Sequence, residues 1–258
     1  MKRILTALVL IPVFVYIVVW APQLLFLLAV TLVAGLCFRE YASLVALHHI
    51  QPPGLFGYVA GVVLLILPQP QFAFFVIVAV LALALSLRAR QLADALPFAG
   101  ALVLGILYTF GAMRCCVELR SLSVYWLLFA LSLNWVGDIA AFYVGRAIGR
   151  HKLSPRISPG KSWEGAIASV VAACVYAAVF FPRFLPSVSL VEALAVAAIG
   201  NVAGQVGDLC ESVLKRGAGV KDSGNLLPGH GGWLDRVDSS LFALPVVYFL
   251  VANLRFQP

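Results

Sequence analysis

Charged side chains are scarce in this chain of 258 residues, and their scarcity excludes several classes of protein. Asp, Glu, Lys and Arg together make up 11% of the sequence, whereas hydrophobic residues make up 62%. A soluble domain of this length carries roughly 25% charged residues. A soluble globular enzyme, a disordered chain and a nucleic-acid binder with a solvated basic face are therefore excluded. A polytopic membrane protein remains.

Acidic residues are rarer still in the first part of the chain. Residues 1–120 hold three of the eleven acids, namely Glu40, Asp94 and Glu118, and the other eight follow later. We find no internal repeat, so we predict a single membrane domain over residues 1–258. Within it, residues 1–120 form apolar spans without chemistry of their own, and residues 121–258 form the catalytic spans and loops.

Cysteine patterns that would build a cross-linked or metal-bound framework are also missing. The five cysteines form no C-x-x-C pair, and no histidine lies at zinc-finger spacing from them. A disulfide or zinc framework is therefore not expected.

Long apolar segments, by contrast, are abundant. A helix needs about 20 apolar residues to cross the hydrocarbon core, with a range of about 17–25. Candidate spans lie near residues 4–20, 23–38, 54–68, 71–87, 97–113, 123–145, 164–182, 190–210 and 239–254. We therefore predict an all-α fold with about nine transmembrane helices, of which the third and fifth are short.

Lys and Arg orient these spans, because they stay on the cytoplasmic side. With a cytoplasmic N-terminus, fourteen of the eighteen Lys and Arg residues fall on the inner side. This orientation predicts a multi-pass protein of the cytoplasmic (inner) membrane. It also places both long polar connections, residues 146–163 and 211–238, in the cytoplasm.

The first connection ends in a turn-forming motif before an apolar span. It reads Ser158-Pro159-Gly160-Lys161-Ser162-Trp163-Glu164. Pro and Gly favour a tight turn, Ser162 is suited to cap a helix that starts near Trp163, and Glu164 falls in the first turn of that helix. Such a helix N-terminus can cradle a phosphate, although the spacing is not that of a P-loop. The alternative is an ordinary basic loop that touches anionic headgroups.

The second connection is richer in polar side chains. One helix face is predicted to carry Asp208, Glu211, Ser212 and Lys215, which follow the i, i+3, i+4, i+7 spacing. Gly217 and Gly219 end that helix. A glycine-rich turn over residues 228–232 can approach a phosphate closely. Its His230 suits a contact in a site, a proton shuttle or a plain turn residue.

Carboxylates converge at the inner ends of the last two spans. These carboxylates are Asp208, Glu211, Asp235 and Asp238. Pairing of an aspartate with Arg236 or Lys215 would account for one of them, and like charges otherwise repel unless a cation lies among them. Hard divalent cations such as Mg²⁺ take oxygen ligands. We therefore predict a Mg²⁺ site, which Asp138 at the inner end of the sixth span can join, and transfer at a phosphate.

A long motif at fixed spacing closes the second connection. It reads Ser212-x-x-Lys215-Arg216, four residues, Lys221-Asp222, then Pro228-Gly229-His230-Gly231-Gly232, two residues, and Asp235-Arg236-x-Asp238. Gly137-Asp138, His151-Lys152-Leu153 and residues 158–165 precede it. Together these motifs resemble the phosphatidate cytidylyltransferases (CDP-diacylglycerol synthases), in which Thr is more frequent at the position of Ser162. The resemblance is strong over residues 134–240.

The resemblance implies a Mg²⁺-dependent membrane enzyme that joins phosphatidate to CTP, giving CDP-diacylglycerol and pyrophosphate. It also implies a paired metal site that can include K⁺. The implied metal ligands are Asp138, Asp208 and Asp235. The implied catalytic residues are Asp208, Asp235, Lys215, Arg216 and Asp238. The implied substrate-binding residues are Lys161, Ser162, Ser212, Lys221, His230 and Arg236. CTP, phosphatidate and the bilayer are the expected partners, and a homodimer is kept as one alternative assembly.

Two other functions stay open on the sequence. A lipid-phosphate transferase such as a polyprenol kinase would share the metal carboxylates but accept an alcohol. A transporter would use buried carboxylates as a pathway, although transporters tend to show internal repeats.

Overall fold

The computed structural model describes residues 12–68, 72–89, 91–227, 229 and 231–253. These residues form two compact units, which are described separately. The first contains the described residues up to Arg114 together with Leu214–Arg236, and the second contains Cys115–Val213 with the described residues from Val237 onward. The predicted single membrane domain stays a prediction.

Helices dominate the first unit. Residues 12–19 are helical. They are followed by α1 (Gln23–Leu47), α2 (Leu55–Ile66), α3 (Phe72–Leu85), α4 (Ala95–Gly105) and the start of α5 (Ala112–Leu122). A π-helical turn over Ile106–Gly111 joins α4 to α5, and two short 3₁₀ turns lie between α3 and α4.

An aromatic cluster forms the core of the first unit. The ring of Phe38 on α1 lies 4.8 Å from that of Tyr58 and 5.6 Å from that of Phe110, measured between centroids. Glycines let these rings approach the helix backbones, since a Cβ on Gly61 would overlap the Phe110 ring. The Tyr41 hydroxyl donates to the Ala101 carbonyl at 3.0 Å, which satisfies its polar end.

The second unit contains α6 (Val124–Ile148) and α7 (Trp163–Phe184). It also contains residues 190–213 of α8 (Leu190–Gly217) and residues 237–253 of α9 (Leu234–Asn253). Stacked rings of Phe129 and Tyr176 join α6 to α7, and Ser132 shares a hydrogen bond with the Tyr176 hydroxyl at 2.7 Å. Small residues bring the helices together, because a Cβ on Gly137 would overlap Ser169 and Asn201.

A short antiparallel hairpin connects α6 to α7. Strand β1 (Lys152–Ser154) pairs with β2 (Ser158–Ser162). The prediction of a tight turn at residues 158–162 is therefore wrong, because that segment is extended and the chain reverses at residues 155–157 instead. The predicted cap is confirmed, since Ser162 Oγ accepts from the Gly165 amide at 3.2 Å and Glu164 lies in the first turn of α7.

Five described helical stretches are long and apolar enough to cross a membrane, judged by length and composition. They are Gln23–Leu47, Leu92–Leu122, Val124–Ile148, Trp163–Phe184 and Leu190–Gly217. The chain is thus an all-α protein of the multi-pass membrane type, apart from its hairpin. The predicted fifth span proves longer than expected, because it lies within the Leu92–Leu122 stretch. The third is short, as predicted, in the 12 residues of α2. Residues 4–11 of the first predicted span fall outside the described residues, and residues 12–19 are helical.

Gly61→Ala tests the close packing of the first unit. The added methyl group must displace the Phe110 ring, so we expect a loss of about 1–3 kcal/mol, typical of an overpacked core. The measurement is the thermal unfolding midpoint in detergent. Gly100→Ala on the neighbouring α4 is the matched control, because nothing lies within 4 Å of its added Cβ. Equal midpoints for the two variants would contradict the packing.

Candidate active site

A polar cavity of about 670 Å³ opens within the second unit. Residues of α6, the hairpin, α7 and α8 line it. The charged and polar side chains among them are Asp138, Arg146, Lys152, Ser158, Lys161, Ser162, Ser169, Gln205 and Asp208. Three cationic side chains thus face two carboxylates in one cavity, which suits a ligand that carries several negative charges.

Asp208 and Lys161 form the closest ion pair in this cavity. Lys161 Nζ lies 2.6 Å from Asp208 Oδ2, and the two side chains are 27% and 34% exposed. Lys161 comes from strand β2 and Asp208 from α8, so the pair ties the hairpin to the helix. Because both groups keep access to the cavity, a ligand phosphate can compete for the lysine.

A network of amide and hydroxyl side chains extends from the cavity wall into the protein. Ser169 Oγ donates to Asn201 Oδ1 at 3.1 Å, and Gln205 Nε2 donates to the same oxygen at 2.8 Å. Glycines make room at the hairpin, since a Cβ on Gly149 would overlap Ser162 Oγ. The network fixes the face of α8 that carries Asp208.

The helix start at the hairpin is held by Glu164. Its Oε1 lies 2.7 Å from His151 Nδ1, and both carboxylate oxygens accept from the His151 amide at 3.2 and 3.3 Å. Glu164 therefore closes the hairpin onto α7, in addition to its place in the helix's first turn.

The motif segment of the first unit, residues 214–236, holds a second ion pair. Lys215 Nζ lies 2.6 Å from Asp235 Oδ1, and the side chains are only 10% and 6% exposed. Asp235 Oδ2 accepts from the amides of Ser223 at 2.9 Å and Gly232 at 2.8 Å. This is the pairing that the sequence offered as an alternative to metal binding for one carboxylate. Protein donors therefore engage both oxygens of Asp235.

Backbone geometry of the motif segment follows its glycines. Helix α8 ends at Gly217, as the sequence predicted. Gly219, which follows, has a positive φ of 72°. Gly231 has a φ of 79°, and a Cβ there would lie 2.7 Å from Asp235 Oδ2. A residue with a side chain would thus be strained and would press on the carboxylate.

The remaining predicted site residues lie on both units. Arg216 donates to the Val220 carbonyl at 2.9 Å, and Lys221 and Arg236 are exposed. Ser212 Oγ lies 3.4 Å from Asp208 Oδ1. Asp238 Oδ1 accepts from the Ser239 amide at 2.7 Å. His230 falls outside the described residues, so its predicted role stays a prediction.

Glu40 on α1 is a residue that the sequence argument missed. Its carboxylate accepts from Ser223 Oγ at 2.9 Å and from the amides of Trp233 at 3.0 Å and Leu234 at 2.8 Å. The sequence predicted apolar spans without chemistry of their own in residues 1–120, whereas the structure ties one of their side chains to the motif segment. The available signal was a lone acid inside a long apolar helix, which marks function by default in a membrane segment.

A pair of aspartates is the donor set that the cavity offers to a divalent cation. Within the described part of the chain, no group of three or more His, Cys, Asp or Glu side chains is placed to hold a metal. Asp138 and Asp208 line one cavity. Mg²⁺ is usually bound by one or two carboxylates, with waters and substrate phosphates as the other ligands. Two aspartates that line a polar cavity fit that pattern.

Comparison with known proteins identifies similar chains. Residues 1–254 match the model of the "Cytidylyltransferase family". A phosphatidate cytidylyltransferase of Staphylococcus haemolyticus is 32% identical over 98% of this chain and 99% of that protein. Another, from Staphylococcus aureus strain COL, is 32% identical over 96% and 98%. The match to the phosphatidate cytidylyltransferase of Bacillus subtilis reaches 41%, and spans 59% of this chain and 58% of that protein.

Lys215→Met tests the buried ion pair. Removing one partner leaves the Asp235 carboxylate without its cation, and such a loss costs about 3–5 kcal/mol. We expect a clear drop in the thermal unfolding midpoint in detergent. The double variant Lys215→Met with Asp235→Asn should recover part of that drop, because it leaves no unpaired charge. A double variant as unstable as the sum of both single variants would contradict the pairing.

Proposed function

The chain belongs to the cytidylyltransferase family, and on this premise we propose that it transfers CMP from CTP to phosphatidate. The products are CDP-diacylglycerol, for phospholipid synthesis, and pyrophosphate. The observation that carries the proposal is the cavity in which Lys161 pairs with Asp208 beside Asp138, Arg146 and Lys152. Two relatives that match this chain over nearly their full length are named phosphatidate cytidylyltransferase.

The reaction is an in-line exchange at the α-phosphorus of CTP. A phosphate oxygen of phosphatidate forms the new P–O bond, the bond from the α-phosphorus to the bridging oxygen breaks, and pyrophosphate leaves with the electron pair. No protein nucleophile is required, because the attacking phosphate is already anionic. The task of the protein is to position two anions and to neutralise their charge.

The cavity residues divide that task. Lys161, Lys152 and Arg146 neutralise the phosphates of the nucleotide and of the leaving group. Asp138 and Asp208 would hold Mg²⁺, which screens phosphate charge when it is bound. Since Lys161 pairs with Asp208, a phosphate that binds the lysine would leave this carboxylate in need of another cation, and Mg²⁺ would supply one when it is bound.

The motif segment contributes a second set of residues. Within this segment we assign Lys215, Arg216, Lys221 and Arg236 to phosphate contacts and His230 to a substrate contact. Ser162 and Ser212, which belong to the second unit, are also assigned to substrate contacts. The hydrogen bonds of Asp235 support a further role, because this carboxylate holds Ser223, Gly232 and Lys215 together. Asp238 lies near the N-terminal end of α9, where its carboxylate accepts from the Ser239 amide.

The membrane setting follows from the lipid substrate. Each buried CH₂ group costs about 0.8 kcal/mol to move into water, so phosphatidate stays in the bilayer while CTP arrives from water. We propose nine spans, a cytoplasmic N-terminus and location in the cytoplasmic membrane. The uneven distribution of Lys and Arg supports this topology.

Differently labelled CTP separates the proposed reaction from that of a lipid kinase. Purified protein receives a mixture of phosphatidate and a polyprenol, together with Mg²⁺ and CTP labelled with ³²P at either the α or the γ position. Cytidylyl transfer places only the α label in the lipid fraction, whereas a kinase would place only the γ label there. We expect the α label in lipid, and chelation of Mg²⁺ should abolish it. A γ-labelled lipid would overturn the proposal.

Asp208→Asn and Asp138→Asn test the metal assignment. Each variant removes one carboxylate from the cavity, so we expect turnover to fall by about a hundredfold or more and the Mg²⁺ concentration for half-maximal rate to rise. Glu192→Gln is the matched control, because Glu192 accepts from the Ser189 amide at the start of α8, and glutamine keeps an acceptor. Unchanged Mg²⁺ dependence in both aspartate variants would contradict the assignment.

A further inference from the structure

Glu40 contacts the motif segment at points far apart in the sequence. Its side chain lies on α1 and is 4% exposed. It accepts hydrogen bonds from Ser223 and from the paired amides of Trp233 and Leu234. One carboxylate therefore joins both ends of the loop between residues 223 and 234.

The loop backbone is shaped to admit this carboxylate. A Cβ on Gly224 would lie 2.7 Å from Glu40 Oε1, and a Cβ on Gly232 would overlap Glu40 Oε2 and Ser223 Oγ. Two glycines of the loop thus stand where any side chain would displace Glu40. The Glu40 carboxylate occupies the space beside Gly224 and Gly232, where a side chain would otherwise lie.

Ser223 links Glu40 to the buried ion pair. Its Oγ lies 2.9 Å from Glu40 Oε2 and 3.0 Å from Asp235 Oδ2. Asp235 in turn contacts Lys215 at 2.6 Å. A continuous chain of polar contacts therefore runs from α1 through Ser223 and Asp235 to the lysine at the end of α8.

His48, the residue that directly follows α1, contacts the start of the motif segment. His48 Nε2 lies 2.9 Å from the carbonyl oxygen of Leu214, the residue before Lys215. A Cβ on Gly217 would approach the His48 ring to 2.5 Å. Leu214 at the start of the motif segment contacts His48, and Leu234 near its end contacts Glu40, so residues 40–48 hold both.

We propose that Glu40 is a positioning residue, which fixes the loop of residues 223–234 and thereby the Lys215–Asp235 pair for the reaction. It acts through Ser223 and the backbone amides and touches no substrate itself. The part of the proposal that concerns the reaction rests on the proposed function, whereas the tethering of the loop does not. The region once expected to hold no site chemistry thus supplies the support for the motif.

Hydrogen exchange in detergent tests the tether without any substrate. In Glu40→Gln the charge is lost, and an NH2 group replaces one of the two acceptor oxygens, so that it faces the amide of either Trp233 or Leu234 as a second donor. We expect exchange in peptides covering residues 220–236 to accelerate about tenfold or more, because a charged acceptor is lost. Peptides of α7 should keep their protection, which shows that the variant is folded.

Three further variants sharpen the result. Glu40→Asp keeps the charge but is one methylene shorter, so its exchange should lie between the wild type and Glu40→Gln. Ser223→Ala removes one donor and should loosen the loop less than Glu40→Gln does. Glu192→Gln removes a carboxylate charge from the second unit and should leave exchange in residues 220–236 unchanged.

Steady-state kinetics then connect the tether to the reaction. Misplacement of a supporting segment lowers turnover by about ten- to a hundredfold, so we expect that loss in kcat for Glu40→Gln. The KM for CTP should stay within about threefold, because uniform substrate binding is not what is lost. Glu40→Asp should recover part of kcat, and Glu192→Gln should match the wild type.

Each outcome has one consequence. Unchanged exchange in Glu40→Gln overturns the tether, and faster exchange with unchanged kcat overturns its role in the reaction. A raised KM with normal kcat also overturns that role. If the wild type makes no lipid-linked CMP, the proposed function fails, and the exchange measurement still decides the tether.

Discussion

The exclusion of water from the hydrocarbon core is the constraint on which the rest of this structure depends. Backbone groups in lipid must bond within their own segment, so the chain folds into helices and confines irregular backbone to polar connections. Buried charge must be compensated for the same reason. The ion pair Lys215–Asp235 is the consequence nearest to the proposed chemistry.

Close helix packing makes the polar groups usable. Small residues at helix contacts let backbones approach, as expected where lipid supplies no hydrophobic drive between helices. In the second unit, Gly137 leaves space for Ser169 and Asn201, and these two side chains bond to each other at 3.1 Å. In the first unit, glycines of the motif loop leave space for Glu40. Glycines in this protein therefore leave space for buried polar side chains, in addition to forming turns.

Local patterns predicted local features well. The cap at Ser162, the end of α8 at Gly217 and the entry of Asp235 into the last helix each depend on neighbours in sequence, and the structure has all three. The strand at residues 158–162 escaped prediction, because its stability comes from pairing with β1 across the chain reversal. Pro159 and Gly160 indicated a turn, and a partner strand overrode that tendency.

The sequence by itself determined the class of protein, the presence of long apolar helices and the motifs that resemble the family, because hydropathy and fixed spacing are properties of the linear chain. Only the tertiary structure decided which charges meet. It paired Asp235 with Lys215 and Asp208 with Lys161, and it brought Glu40 to Ser223, although 183 residues separate them in sequence. Spacing along one helix limits which residues share a face, but contacts between distant segments follow from packing, and no local pattern encodes them.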